Sequence, residues 1–138
     1  MSGAEPSLRV LVVDDEEALG IGVRRVLEPF RVPTSDAHAE AALEVRIAKS
    51  GEEGLAVLKD FPADLVLLDY KLPGMNGVEA LKEIRKFAPG PRVIMMTGYT
   101  VEDLIRDSIS SGAEGALKKP IDYDTLLQLI EGKMAGRM

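Results

Sequence analysis

The chain of 138 residues has no cysteine and no tryptophan, and it contains a single histidine. Without cysteine there is no disulfide framework and no thiolate ligand, so we expect any metal site to use oxygen ligands. No apolar run approaches the ~18–20 residues that cross a bilayer, and the N-terminal residues lack the basic and apolar regions of a signal peptide. These absences predict a cytoplasmic protein without a membrane segment.

Positive charge is also scarce. The 17 lysine and arginine residues are outnumbered by 23 aspartate and glutamate residues, which gives a formal net charge of −6. Proteins that bind nucleic acid through its phosphate backbone normally present a basic face. The composition therefore argues against nucleic acid as a direct partner.

Short apolar runs alternate with segments of helical periodicity along the chain, of which 46% is hydrophobic. This alternation is typical of β-α-β units around a parallel sheet, and the strand-like runs are continuous, as expected when both sheet faces are covered. We predict one α/β domain over 8–131, with flexible termini at 1–7 and 132–138. Five helices follow the strands, the last two around 101–109 and 123–134. The strands are predicted at Leu8–Val13, Leu43–Ala48, Asp64–Leu68, Arg92–Met96 and Gly115–Lys118.

An insertion at 29–42 separates the first helix from the second strand. It contains Pro33 and the polar stretch Thr34–Asp36, which predict an extended loop. His38 lies in this insertion, and a solvated side chain is a better interpretation of it than a ligand or a phosphate carrier.

Polar residues follow the predicted strands at the edge where ligands of parallel sheets bind. Carboxylates ~4 Å apart repel by about 4 kcal/mol at an effective dielectric constant of about 20, so Asp14, Asp15 and Asp69 would need a cation nearby. Lys119 can supply one charge, and Mg²⁺, which prefers oxygen ligands, can supply the rest. Alternatively, the first two acids are only a pair favoured by a helix dipole. The residues at this edge are Asp14, Asp15, Asp69, Thr97, Gly98, Lys119 and Pro120.

This set of groups suits the transfer of a phosphoryl group to a carboxylate. Asp69 is the best placed nucleophile, because it closes the most apolar strand and the turn at 73–77 holds the next loop open. A divalent ion and a lysine would neutralise the charge on the phosphoryl oxygens. Thr97 can hydrogen-bond the phosphoryl group, and Gly98 has no side chain to block an incoming donor.

Four motifs in the chain resemble those of response regulator receiver domains, the switches of two-component signalling. Their order and spacing match over roughly Leu8 to Ile130. The resemblance implies a CheY-like, flavodoxin-like (βα)5 fold, a doubly wound parallel sheet with strand order 2-1-3-4-5. The motifs are Val-Val-Asp-Asp-Glu, Leu-Leu-Asp-Tyr-Lys-Leu-Pro-Gly-Met-Asn-Gly, Met-Thr-Gly and Lys-Lys-Pro.

The resemblance also implies the roles of the acidic residues. Asp69 would accept a phosphoryl group from a phosphohistidine of a histidine kinase or a histidine phosphotransfer protein. Mg²⁺ would bind Asp15, Asp69 and the backbone carbonyl of Lys71, while Asp14 would act through water. Such a domain catalyses only its own phosphoryl transfer and dephosphorylation, and is otherwise not an enzyme.

The remaining residues of the site are implied to form the switch. Thr97 and Lys119 would move to the phosphoryl group beside Gly98, and the Lys119–Pro120 peptide bond would be cis. Their movement would alter a surface made of the fourth helix, the fifth strand and the fifth helix. That surface would bind a downstream protein, a linked output domain or a second receiver in a homodimer.

The chain departs from the family at the switch itself. Most receivers have an aromatic residue on the fifth strand, three positions before the lysine, where this chain has Ala116. Tyr99 is a possible substitute, although an exposed loop tyrosine is often only a surface residue. Lys71 and Tyr99 are candidates for tuning the phosphoryl lifetime; for Lys71, an equal alternative is an exposed side chain that supplies only its carbonyl.

Two other functions compete with a phosphorylated switch. Ala116 keeps open a pseudo-receiver that binds its partner without phosphate. A Mg²⁺ phosphatase of the haloacid dehalogenase type also forms an aspartyl phosphate on a parallel sheet. Its nucleophile follows the first strand with a second acid two residues later, whereas Asp14 and Asp15 are adjacent and Asp69 follows the third strand.

Overall fold

The computed structural model describes residues 7–33, 39–87, 90–98, 106 and 112–134. The predicted fourth helix therefore lies outside the described residues, apart from residue 106, and so do His38 and Tyr99. The described part of the chain contains β1 Ser7–Val13, α1 Glu17–Leu27, β2 Arg31–Pro33, β3 Glu40–Ala48, α2 Gly51–Asp60, β4 Leu65–Asp69, α3 Gly77–Ile84, β5 Arg92–Thr97, β6 Gly115–Lys118 and α4 Tyr123–Met134.

The strands form one sheet in the order β2-β3-β1-β4-β5-β6. The five strands from β3 to β6 in this order are mutually parallel. Counted along the chain without β2, their order is 2-1-3-4-5, so the predicted fold class is confirmed. The reversal between β1 and β4 is the kind of switch point at which open α/β sheets bind ligands.

The insertion at 29–42, predicted as an extended loop, is partly a strand. Residues 31–33 form β2, which pairs antiparallel with the start of β3. Val32 is buried against the core, and β3 begins at Glu40 rather than at Leu43. A strand of three residues is too short for its alternation of exposed and buried side chains to be visible in the sequence. β2, with Pro33 at its end, covers what would otherwise be the free edge of β3.

The sheet separates two apolar layers, each covered by helices. Alternate strand residues contribute to opposite layers, so Val10 and Val12 pack with α1 and α4, while Leu11 and Val13 pack with α2 and α3. β4 is buried at all five positions. Burial on both faces is the physical reason for the continuous apolar sequence of this central strand.

Strand register brings the ends of four strands to one edge. Val13 is opposite Leu68, Asp69 is opposite Met96, and Thr97 is opposite Lys118. The residues that follow β1, β4, β5 and β6 are therefore neighbours across the sheet.

Candidate phosphoacceptor site

Three aspartates lie together at the carboxyl end of the sheet. Carboxylate oxygens of Asp14, Asp15 and Asp69 all lie within 4.8 Å of one another. Asp14 is 0% exposed and Asp69 is 4% exposed, while Asp15 is open to solvent. Burial removes water that would otherwise screen these like charges, so the cluster is unfavourable without a cation.

The backbone around β1 and β4 holds these carboxylates in place. The Asp14 amide donates to the carbonyl of Ala48 at 3.0 Å, and Asp14 Oδ1 accepts a hydrogen bond from the amide of Glu16 at 2.8 Å. The Lys71 amide donates to Asp69 Oδ1 at 3.3 Å. Both buried acids are therefore orientated by backbone donors in the loops that follow their strands.

Lys119 supplies the positive charge at the centre of the cluster. Its Nζ atom lies 2.7 Å from Asp14 Oδ2, 3.2 Å from Asp69 Oδ2 and 3.1 Å from Glu16 Oε1. Its amide donates to the carbonyl of Thr97 at 2.7 Å, and the Lys119–Pro120 peptide bond is cis. The lysine predicted from sequence is thus shared between Asp14, directly after β1, and Asp69, the last residue of β4.

The protonation of Asp69 and Lys119 reflects this surplus of negative charge. Burial and the charge of Asp14 raise the pKa of Asp69 to about 6, although Lys119 opposes the shift. Burial lowers the pKa of Lys119, but its contacts with Asp14, Glu16 and Asp69 outweigh that effect and raise it overall. At neutral pH the site therefore contains a charged ammonium and a mostly ionised acceptor carboxylate.

Glycine residues allow the helix that follows Asp69 to approach it closely. A side chain at Gly77 would collide with the backbone of Asp69 and Tyr70, and the Gly77 amide donates to the Tyr70 carbonyl at 2.9 Å. Gly74 has a φ of 74°, a backbone conformation that other residues rarely adopt. The path of the backbone through the turn predicted at 73–77 therefore requires glycine at both positions.

An open cleft of about 540 Å³ gives access to Asp69. Thr97, which is buried, directly precedes the cleft residue Gly98, and a side chain built on Gly98 would meet no atom within 4 Å. Among the described residues, Gly98 therefore leaves space beside the acceptor for a donor molecule. The cleft is lined by Asp15, Glu16, Asp69, Lys71, Leu72, Pro73, Gly98 and Lys119.

Two features of the site differ from what the motifs alone suggest. Glu16 contacts Lys119, a role that the sequence analysis did not assign; its position directly after the two aspartates was the available signal. Ala116 is opposite Met95 in the sheet and packs, partly buried, against the layer under α2 and α3. Tyr99, the candidate substitute for the missing aromatic residue, lies outside the described part of the chain.

The fold and the site together define a class: a doubly wound sheet that presents a buried carboxylate and a lysine to an open cleft, as phosphoacceptor modules do. Residues 10–131 match the family described as "Response regulator receiver domain". The chain therefore belongs to the response regulator receiver domain family. Receiver domains are signalling modules of two-component systems, paired with histidine kinases, and are not conventional enzymes.

Individual proteins show the same similarity. The chain is 31% identical to the chemotaxis protein CheY of Halobacterium salinarum, over 88% of this chain and 92% of that one. It is 30% identical to the nitrate/nitrite response regulator protein NarL of Escherichia coli, over all of this chain but only 59% of NarL's length. A CheY-like receiver domain from Methanospirillum hungatei has 34% identity and a TM-score of 0.78, covering 93% of this chain and 94% of that chain. None of the described helices has the length and apolar character needed to cross a membrane.

Proposed function

We propose that the chain is a cytoplasmic switch that a histidine kinase or a histidine phosphotransfer protein controls by phosphorylating Asp69. The observation that carries the proposal is the position of Asp69, whose carboxylate lies at an open cleft within 3.2 Å of the Lys119 ammonium. A buried acid beside a second buried acid is costly for the fold, which favours a role in function over one in stability.

The proposed reaction is a substitution at phosphorus. An oxygen of Asp69 attacks the phosphoryl group, the new O–P bond forms, and the P–N bond to the donor histidine breaks with its electron pair remaining on nitrogen. Lys119 supports the negative charge on the phosphoryl oxygens, and Thr97, at the end of β5, offers a hydroxyl donor. The small residue Gly98 leaves room for the donor.

The same residues are suited to Mg²⁺. Asp14 Oδ2 is buried without a hydrogen bond of normal geometry in the described part of the chain, and its close contact is the ion pair with Lys119. Asp15 and Asp69 add carboxylate oxygens, and we include the Lys71 carbonyl as a further ligand. When bound, Mg²⁺ neutralises charge on the carboxylates and on the phosphoryl oxygens.

Phosphorylation would then change the surface near β6 and α4. A change from 1:99 to 99:1 between two states needs about 5.5 kcal/mol of differential binding. Hydrogen bonds to charged groups contribute roughly 1.5–3 kcal/mol each, so Thr97 and Lys119 could together supply most of it. We propose that the altered surface binds a downstream protein, a linked output domain or a second copy of the chain.

Intact mass measurement after incubation with acetyl phosphate and Mg²⁺ tests the phosphoacceptor role. We expect one phosphoryl adduct on the wild type, no adduct when Mg²⁺ is removed with EDTA, and none on Asp69→Asn. Asp60→Asn, an exposed aspartate at the end of α2, is the matched control and should remain phosphorylated. A wild-type protein that forms no adduct, or an Asp69→Asn protein that forms one, would contradict the proposal.

A phosphate-independent pseudo-receiver is the second candidate, and Ala116 is the observation that favours it. The alanine side chain is too small to act as the movable aromatic residue of most receivers. If this candidate is correct, beryllofluoride and Mg²⁺ should leave the amide NMR spectrum unchanged beyond the cleft. Shifts in β6 and α4 that Asp69→Asn abolishes would exclude it in favour of the switch.

A further inference from the structure

The side chain of Glu16 does not cap the helix that it precedes. Glu16 is the residue before α1, and it makes no side-chain capping bond to that helix. At the starts of α2 and α3, by contrast, Ser50 and Asn76 each accept a hydrogen bond from an amide in the first turn. Caps of this kind stabilise helices, whereas the carboxylate of Glu16 makes no bond to the start of α1.

Instead, Glu16 reaches across the cleft to Lys119. Its Oε1 atom accepts a hydrogen bond from Lys119 Nζ at 3.1 Å, although the two residues are 103 positions apart in the chain. The amide of Glu16 is fixed by the 2.8 Å hydrogen bond to Asp14 Oδ1. The backbone that orientates Asp14 therefore also places the Glu16 carboxylate at the mouth of the cleft.

Glu16 differs from the other two partners of Lys119 in both exposure and role. The side chains of Asp14 and Asp69 are nearly completely buried, whereas that of Glu16 is 63% exposed. Asp14 and Asp69 belong to the acidic set proposed to hold Mg²⁺, so their charge is neutralised when the ion binds. Glu16 lies outside that set and keeps its full attraction for the ammonium group.

We infer that Glu16 is a positioning residue that occupies one hydrogen-bond donor of Lys119, so that this donor is not available to an incoming phosphoryl group, and thereby slows phosphorylation of Asp69. The inference rests on the proposed function, because it assigns Lys119 to the phosphoryl oxygens. The hydrogen bond from Lys119 to Glu16 must break before all three N–H groups of the ammonium can donate to the phosphoryl oxygens. The exposed carboxylate also repels anionic donors at the mouth of the cleft.

Phosphorylation kinetics of Glu16→Gln test this inference. The exposed position and the similar size of glutamine should leave the fold intact. With acetyl phosphate and saturating Mg²⁺, we expect the initial rate of adduct formation to rise roughly three- to fivefold, as for the loss of one exposed charged contact. Glu17→Gln is the matched control: it removes the same charge one residue later, where the carboxylate lies 3.9 Å from Lys49 rather than beside Lys119. Its rate should stay within about 1.5-fold of wild type.

A spectroscopic measurement separates positioning from general repulsion. Lysine ammonium groups held by hydrogen bonds exchange protons slowly enough to give ¹H–¹⁵N signals. The Lys119 ammonium signal, assigned by its loss in Lys119→Met, should shift or broaden in metal-free Glu16→Gln and remain unchanged in Glu17→Gln. This readout needs no phosphorylation.

The outcomes distinguish the inference from the proposed function. A faster Glu16→Gln together with an altered Lys119 signal supports the inference. A phosphorylated wild type with an unchanged or slower Glu16→Gln overturns the inference alone, and so does an equal acceleration in Glu17→Gln. If no variant is phosphorylated in the presence of Mg²⁺, the proposed function fails and the role of Glu16 fails with it.

Discussion

At the amino end of the parallel sheet, arginine and carboxylate side chains meet in pairs, whereas at the carboxyl end several carboxylates share the ammonium group of Lys119. Arg9 Nε lies 3.8 Å from Glu44 Oε2, and Arg92 Nη1 lies 2.8 Å from Glu114 Oε2. These amino-end pairs are substantially exposed. The carboxylates of the cleft are mostly buried, and burial raises the pKa of Asp69.

The comparison indicates that the two ends serve different purposes. Exposed ion pairs contribute little to stability, about 0–1 kcal/mol each, and changing one has little effect. Buried like charges cost stability unless a cation compensates them. The carboxyl end therefore carries an electrostatic cost that bound Mg²⁺ can relieve, and the exposed amino-end pairs carry no comparable cost.

Loss of Lys119 should have the largest effect on stability. In Lys119→Met, the buried carboxylates of Asp14 and Asp69 lose their close cation, and we expect a loss of about 3–5 kcal/mol in the free energy of unfolding at pH 7. Urea denaturation in the presence of EDTA measures this free energy for the metal-free protein. Arg9→Met at the amino end is the control and should lose less than about 1 kcal/mol. Equal losses in the two variants would contradict the contrast between the two ends.

Neutralising Asp69 should stabilise the metal-free protein. Its pKa of about 6 lies above the ordinary value of 3.8, so the folded chain holds this proton more tightly than the unfolded chain. Stability from this group is therefore present below pH ~4 and is lost as the pH rises through ~6. Asparagine carries no charge at any pH, so Asp69→Asn does not lose stability as the pH rises. Its free energy of unfolding at pH 7 in EDTA should exceed that of wild type by up to about 3 kcal/mol.

The pH dependence and an amino-end variant check this prediction. The gain of Asp69→Asn over wild type should shrink as the pH falls from 7 towards 4, because wild-type Asp69 becomes protonated. Asp64→Asn should show no such gain, since Asp64 Oδ2 accepts a hydrogen bond from the Arg9 amide. A gain that is independent of pH would rule out the electrostatic explanation.

Mg²⁺ should reduce the stability cost of the carboxylates at the carboxyl end of the sheet, and so bring that end closer to the amino end. When free Mg²⁺ is ten times its dissociation constant, binding to the folded state adds about 1.4 kcal/mol to the free energy of unfolding. A thermal unfolding series with increasing Mg²⁺ should show a rising Tm for wild type and for Glu44→Gln. Asp14→Asn should respond much less, and an undiminished response from it would remove Asp14 from the proposed metal site.

The features that sequence reasoning predicted correctly depend on patterns repeated over several residues. The parallel sheet followed from five apolar runs that alternate with helical segments, and the strand order followed from the family resemblance. The meeting of Asp14, Asp69 and Lys119 followed from their places at the ends of strands. β2 was missed because three residues give no periodicity. The bond between Glu16 and Lys119 was missed because it depends on rotamers and loop geometry, which spacing along a chain does not reveal. The raised pKa of Asp69 likewise depends on a degree of burial that is known only after the layers are packed.

The smallest effect should come from a contact outside the cleft, in which Arg46 of β3 lies over the ring of Phe61 with its guanidinium carbon 4.6 Å from the ring centre. An exposed cation–π contact contributes about 0.5–1 kcal/mol. Arg46→Leu keeps apolar contact with the ring but loses the charge, so it should lower the free energy of unfolding by no more than that amount. Its phosphorylation by acetyl phosphate should match wild type, because Arg46 is exposed on β3 and does not line the cleft. A double-mutant cycle with Phe61→Leu measures the coupling. A coupling well above 1 kcal/mol, or a changed phosphorylation rate, would show that this charge outside the cleft matters as much as the charges at the carboxyl end.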